Sequence, residues 1–143
     1  MKEIEFQFHR GNHLLGKVIR FFSRGDFNHV SIRIGKYVYE SHIDTGVTKT
    51  LYSKWESWSV VESFLVEVED TKAIEKWLKK QVGKKYDIWG VLSFMWIWAK
   101  PAEGKWFCSE LAMVTLAKAL ELDTYNQRQS PQDFYYSLFL ALS

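Results

Sequence analysis

At 143 residues the chain is long enough for one domain with a buried core and too short for two full ones. Apolar residues at 47% and charged residues at 25% exclude a disordered chain, and a net charge of +2 is too weak a bias for nucleic acid as the main partner. The single cysteine, Cys108, excludes both an internal disulfide and a cysteine-rich zinc site.

No long apolar run follows Lys2, so the N-terminus does not read as a secretory signal peptide and a cytoplasmic location is expected. Ile4 to His9 alternates apolar and polar, the pattern of a half-buried strand. Gly11-Asn12 breaks it, and Asn12 can cap a helix in which Leu14, Leu15, Val18, Ile19 and Phe22 fall at helical spacing. Arg24-Gly25-Asp26 is a loop. Val30 to Ile34 alternates again, Gly35-Lys36 is a tight turn, and Tyr37 to Ser41 returns. Thr45-Gly46 followed by Val47 to Thr50 gives a further short strand. Trp58 to Glu69 is rich in β-branched and aromatic residues and reads as one or two strands.

From residue 70 onward the period turns helical. Asp70-Thr71 offers a cap, Ala73, Ile74, Trp77, Leu78 and Val82 make an apolar stripe, and Gly83 ends it. Ile88 to Ala99 carries no charge, but its 12 residues fall short of the ~20 that a spanning helix needs. It reads as a buried helix, or as an apolar groove wall or membrane-facing surface for a lipid-like substrate. Phe107 to Leu122 has Leu111, Ala112, Thr115, Leu116, Ala119 and Leu120 at helical spacing. Ser130-Pro131-Gln132-Asp133 opens a last helix. Strands followed by helices define an α+β class, with residues 1–143 as a single domain.

Cys108 lies at the expected start of a helix, where free backbone N–H groups and the helix dipole favour thiolate over thiol. That is a nucleophile's position, although a small buried core residue fits the same place. A thiol enzyme needs a base, and the histidines are His9, His13, His29 and His42. Gly11-Asn12 separates His9 from His13, so no zinc pair is expected there. If Gly35-Lys36 is a two-residue turn, Ile34 pairs with Tyr37, Ser31 faces Glu40 and His29 faces His42. Strand parity then gathers His29, Ser31, Glu40 and His42 on one face. His29 can act as base, with Glu40 or His42 fixing its tautomer, or the face can be an ordinary solvated one. Tyr86 can donate to a developing oxyanion or simply pack.

The runs Asn28-His29-Val30-Ser31-Ile32-Arg33-Ile34-Gly35, Val38-Tyr39-Glu40-Ser41, Gly83-Lys84-Lys85-Tyr86-Asp87 and Phe107-Cys108-Ser109-Glu110-Leu111, in that order, resemble the circularly permuted NlpC-type papain-like peptidases. These are the YiiX-like proteins, more distantly related to lecithin:retinol acyltransferase. Ser130 to Phe134 is similar to the family's C-terminal element. The resemblance spans nearly the whole chain and implies a permuted papain-like fold, a small antiparallel sheet packed against helices. It implies Cys108 as nucleophile, His29 as general base and acid, Glu40 as third polar residue and Tyr86 near the thiol, with His42 as the alternative third residue. Asn28 and Ser31 depart from the small residues common there. The implied activity is a thiol hydrolase of amide or ester bonds, or an acyltransferase, that works through an acyl-enzyme with no metal or organic cofactor. Its substrates would be peptides, peptidoglycan-derived stems or lipid-like acyl groups, the last with peripheral membrane contact. Two alternatives stand beside it. One is a non-catalytic lipid- or peptide-binding module on the same fold, and the other is a metal site built from His29, His42 and Cys108.

Overall fold

The alternating segment at the N-terminus forms β1 (Lys2–His9), and its apolar set Ile4, Phe6 and Phe8 is fully buried. The computed structural model describes residues 2–11, 27–55, 60–87, 105–106, 108–122 and 131–142. The helix expected over 14–22, the loop at 24–26, the tryptophan-rich stretch 88–99 and the Ser130 cap lie outside these residues. β2 (His29–Ile34) and β3 (Tyr37–His42) form the expected hairpin, with Ile34 opposite Tyr37 and Ile32 opposite Tyr39. Gly35 takes φ 59°, a backbone state that costs an L side chain energy and a glycine none. β4 (Gly46–Leu51) pairs with β3. The segment read as one or two strands is one, β5 (Val60–Val68).

The sheet is antiparallel, in the order β4-β3-β2-β1-β5. β1 is therefore interior, and Phe6 lies opposite both Ile32 and Phe64. Among the described residues three longer helices follow the strands: α1 (Lys72–Gln81), α2 (Cys108–Ala119) and α3 (Pro131–Leu142). At the start of α1 the Asp70 carboxylate accepts the Lys72 N–H at 3.2 Å, while the Thr71 hydroxyl turns instead to Glu75. Of the expected α1 stripe, Ile74 and Leu78 are buried, whereas Val82 is exposed. Their core partners are Leu111, Ala112 and Leu116 of α2 and Phe134 and Leu138 of α3, together with Phe6, Val30 and Ile32 of the sheet. Each such Leu, Ile, Val or Phe side chain contributes about 1.5–3 kcal/mol when fully buried. Phe8 is held by the rings of Phe27, Phe64, Phe134 and Tyr135. Every residue from Cys108 to Ala117 is buried, so α2 is a central helix enclosed on all sides.

The architecture is α+β, as the order of patterns predicts. No helix among the described residues is long and apolar enough to cross a membrane. Of the two readings of the face that carries His29, Ser31, Glu40 and His42, the solvated one does not fit: His29, Ser31 and Glu40 are buried and His42 is partly exposed, and Gln7 and His9 of β1 are buried beside them.

Candidate active site

The N-terminus of α2 brings the Cys108 sulfur against backbone N–H groups of Val30, Ser109 and Cys108 itself. Val30 is the neighbour of His29, so residues far apart in sequence meet where α2 packs on β2. Burial nevertheless decides the ionisation. It pushes the thiol up to about 12, the Glu40 charge pushes the same way, and the N–H groups offset only part of this. The thiolate expected from a helix N-terminus is thus overruled by desolvation, and Cys108 rests as a neutral thiol.

His29 and Glu40 are both buried, and His29 Nε2 lies 3.3 Å from Glu40 Oε2. His42 Nε2 lies 2.8 Å from the other carboxylate oxygen, and the Trp55 indole N–H donates to that same oxygen at 3.2 Å. The His29 and His42 rings stack, with centroids 4.4 Å apart. Of the four side chains that parity assigns to one face, His29 and His42 therefore converge on the carboxylate of a third, Glu40. Burial alone would push Glu40 up. The hydrogen bonds and charges of His29 and His42 outweigh it and hold the carboxyl far below the usual carboxylate range.

A second polar chain abuts the first. The Ser31 hydroxyl donates to Gln7 Oε1 at 3.1 Å, so it accepts from His9 Nε2 at 2.9 Å, which fixes the His9 tautomer. The His9 ring lies 5.1 Å from that of His29 and meets Trp55 edge-on. Asn28 accepts the Gly11 N–H at 2.9 Å and donates back to its carbonyl at 2.6 Å, stapling the end of β1 to the entry of β2. Asn28 and Ser31 thus both have structural work.

Tyr86 is positioned by backbone. The Val47 N–H donates to the Lys84 carbonyl at 2.8 Å, and the Gly83 N–H donates to the Val47 carbonyl at 2.9 Å. Tyr86 then bridges to Trp106, whose carbonyl accepts the Ser41 hydroxyl at 2.6 Å. Burial, reinforced by the charge that Cys108 carries when ionised and by the charges of Asp87 and Glu110, pushes the Tyr86 phenol well above its ordinary value and keeps it a proton donor. Beside it opens a cavity of about 500 Å³, bounded by Tyr86, Lys85 and the β3–β4 turn at Ile43 to Gly46.

The sequence did not reveal the parts played by His9, Gln7, Trp55 and Trp106. Gln7 and His9 alternate correctly for one face of β1, a usable signal, but nothing local marks the other two. As for metal ligands, the atoms that gather among the described residues are those of His29, Glu40 and His42, all within 4.8 Å of one another. Glu40 takes the place in that group that Cys108 holds in the metal set read from the sequence. No protein-family model matches the chain, and no curated protein matches it.

Proposed function

We propose that the protein is a thiol hydrolase or acyltransferase acting on amide or ester carbonyls through an acyl-enzyme. The supporting observation is the packing of Cys108 against the backbone of Val30, one residue from a buried His29 that is bonded to Glu40. Glu40 engages His29 at Nε2, so the proton exchanged with sulfur belongs to Nδ1. The sulfur is neutral at rest, and His29 removes its proton only as the sulfur attacks the carbonyl carbon. The Cys108 N–H and the Tyr86 hydroxyl stabilise the oxyanion. The carbonyl re-forms, the carbon–heteroatom bond breaks, and His29 returns the proton to the leaving amine or alcohol. Water or an acceptor then releases the acyl group. Glu40 takes the third position because it bonds His29 directly. The permuted papain-like fold is part of the same proposal.

The test is a panel of peptidyl and fatty-acyl electrophiles, read by intact mass. One acyl adduct on the wild-type protein and none on Cys108→Ala is the expected result. An adduct that persists in Cys108→Ala overturns it. The acyl group preferred distinguishes a cell-wall peptide from a lipid-like substrate, and pelleting with sacculi or with lipid vesicles distinguishes them independently.

The deep burial of the thiol favours a second candidate, a binding module of the same fold without turnover. It predicts that no acyl electrophile outpaces simple alkylation at Cys108.

A further inference from the structure

We propose that His29, Glu40 and His42 bind a zinc-class divalent cation and that the bound ion switches off the thiol chemistry of Cys108. The second half rests on the function proposed above, and the first half does not.

Three ligand atoms already lie within 4.8 Å of one another. Zinc bonds of about 2.0–2.2 Å place tetrahedral ligands roughly 3.3–3.6 Å apart, so side-chain rotations of about an ångström close the site. The donors are two imidazoles and one carboxylate, a set suited to zinc and similar transition metals and poor for magnesium or calcium. Three protein ligands leave a fourth position for water. All three residues sit on the β2–β3 hairpin, whose register fixes their spacing before any ion arrives. Trp55 donates to Glu40 Oε1 at 3.2 Å and so orients the carboxylate from outside, as partners of metal ligands do. The His42 side chain is 29% exposed and gives the ion a way in.

The consequence for the thiol follows from the tautomer. A neutral imidazole that ligates through Nε2 carries its proton on Nδ1. Nδ1 is the atom that must accept the proton of Cys108, and it cannot accept a second one while the ion is bound. Glu40 is withdrawn from His29 at the same time. The ion and the nucleophile therefore compete for one imidazole.

Zinc chloride is titrated calorimetrically into the full chain and into Cys108→Ser, with folding checked by circular dichroism. One ion per chain is expected in both, with affinity falling at least tenfold in His42→Ala and Glu40→Gln and about tenfold in Trp55→Phe. Cobalt(II) substitution should give visible d–d bands without the intense thiolate-to-metal charge-transfer band. No saturable uptake by the wild type, loss of uptake in Cys108→Ser, or unchanged uptake in His42→Ala overturns the site. If His42→Ala does not fold, the cobalt spectrum and the Trp55→Phe titration decide. For the switch, zinc is expected to stop ester acylation of Cys108, and His42→Ala is expected to need at least ten times more zinc for the same loss. Tight uptake with undiminished acylation overturns the switch alone. A Cys108 inert to every electrophile without zinc counts against the function proposed above, and the Cys108→Ser titration still decides the site.

Discussion

A single sulfur and a single carboxylate meet opposite electrostatic fates. Cys108 is buried near the like charge of Glu40, and desolvation holds it as a thiol, pushed up to about 12. Glu40 is buried beside two imidazoles, which keep it ionised. This division sets the expected reactivity. The thiolate fraction of Cys108 should rise about tenfold per pH unit up to its raised value, so iodoacetamide alkylation is slow at neutral pH and climbs without a plateau. A rate that is flat from pH 6 to 8 would show that an activated thiolate exists at rest. A matched acyl electrophile should react far faster than iodoacetamide at pH 7, because His29 can act during the attack. Glu40→Gln should lower that acylation by roughly 10²–10⁴-fold through the wrong imidazole tautomer, while the alkylation slope is retained. Equal acylation by Glu40→Gln and wild type would remove Glu40 from the site.

At the scale of elements, the β3–β4 turn and the 83–87 segment form one unit. Gly46 has φ 68°, and a methyl placed on it would collide with the Lys84 carbonyl. Gly35 has φ 59° but open space around its missing side chain. Gly35→Ala should therefore cost about 1–2 kcal/mol, the left-handed penalty alone. Gly46→Ala adds a backbone clash and should cost about 2 kcal/mol or more beyond that, by urea unfolding. It should also slow acylation, because Lys84 leads to Tyr86. Equal losses at the two glycines would contradict the tight approach. Much of this scale was legible in the sequence. Gly35-Lys36 set the hairpin register, and the register put His29 and Glu40 on one face. The helix read from spacing over Phe107 to Leu122 is α2, Cys108–Ala119, which stops short of the expected end. Local pattern did not carry the placement of β5 beside β1, which makes β1 interior and buries His9. Nor did it carry Trp55, which reaches Glu40 from the short turn at Tyr52–Lys54. Both depend on pairings between distant segments, and alternation encodes which face a residue takes without encoding what covers that face.

For the whole molecule, the polar cluster is a stabilising cross-tie as well as a candidate site. The Glu40 carboxylate ties its own strand, β3, to β2 through His29 and to the turn after β4 through Trp55, while His42 of the same strand braces it. Because its folded pKa lies far below the ordinary 4.5, folding favours its ionised form. That stability is fully present above about pH 4.5, the ordinary value, and is lost as pH falls from there toward the depressed folded value. Urea unfolding measured from pH 7 down to pH 3 should therefore show a steady fall for the wild type below about pH 4.5. Glu40→Gln carries no ionisable group at this position. It should be less stable at pH 7, where two imidazoles and an indole N–H lose their charged acceptor, and its curve should be flatter on acidification. The two curves should converge as pH falls, since a protonated carboxyl and the amide that replaces it are both neutral. Parallel curves with a constant gap would mean that the cluster holds the strands together by packing and not by charge.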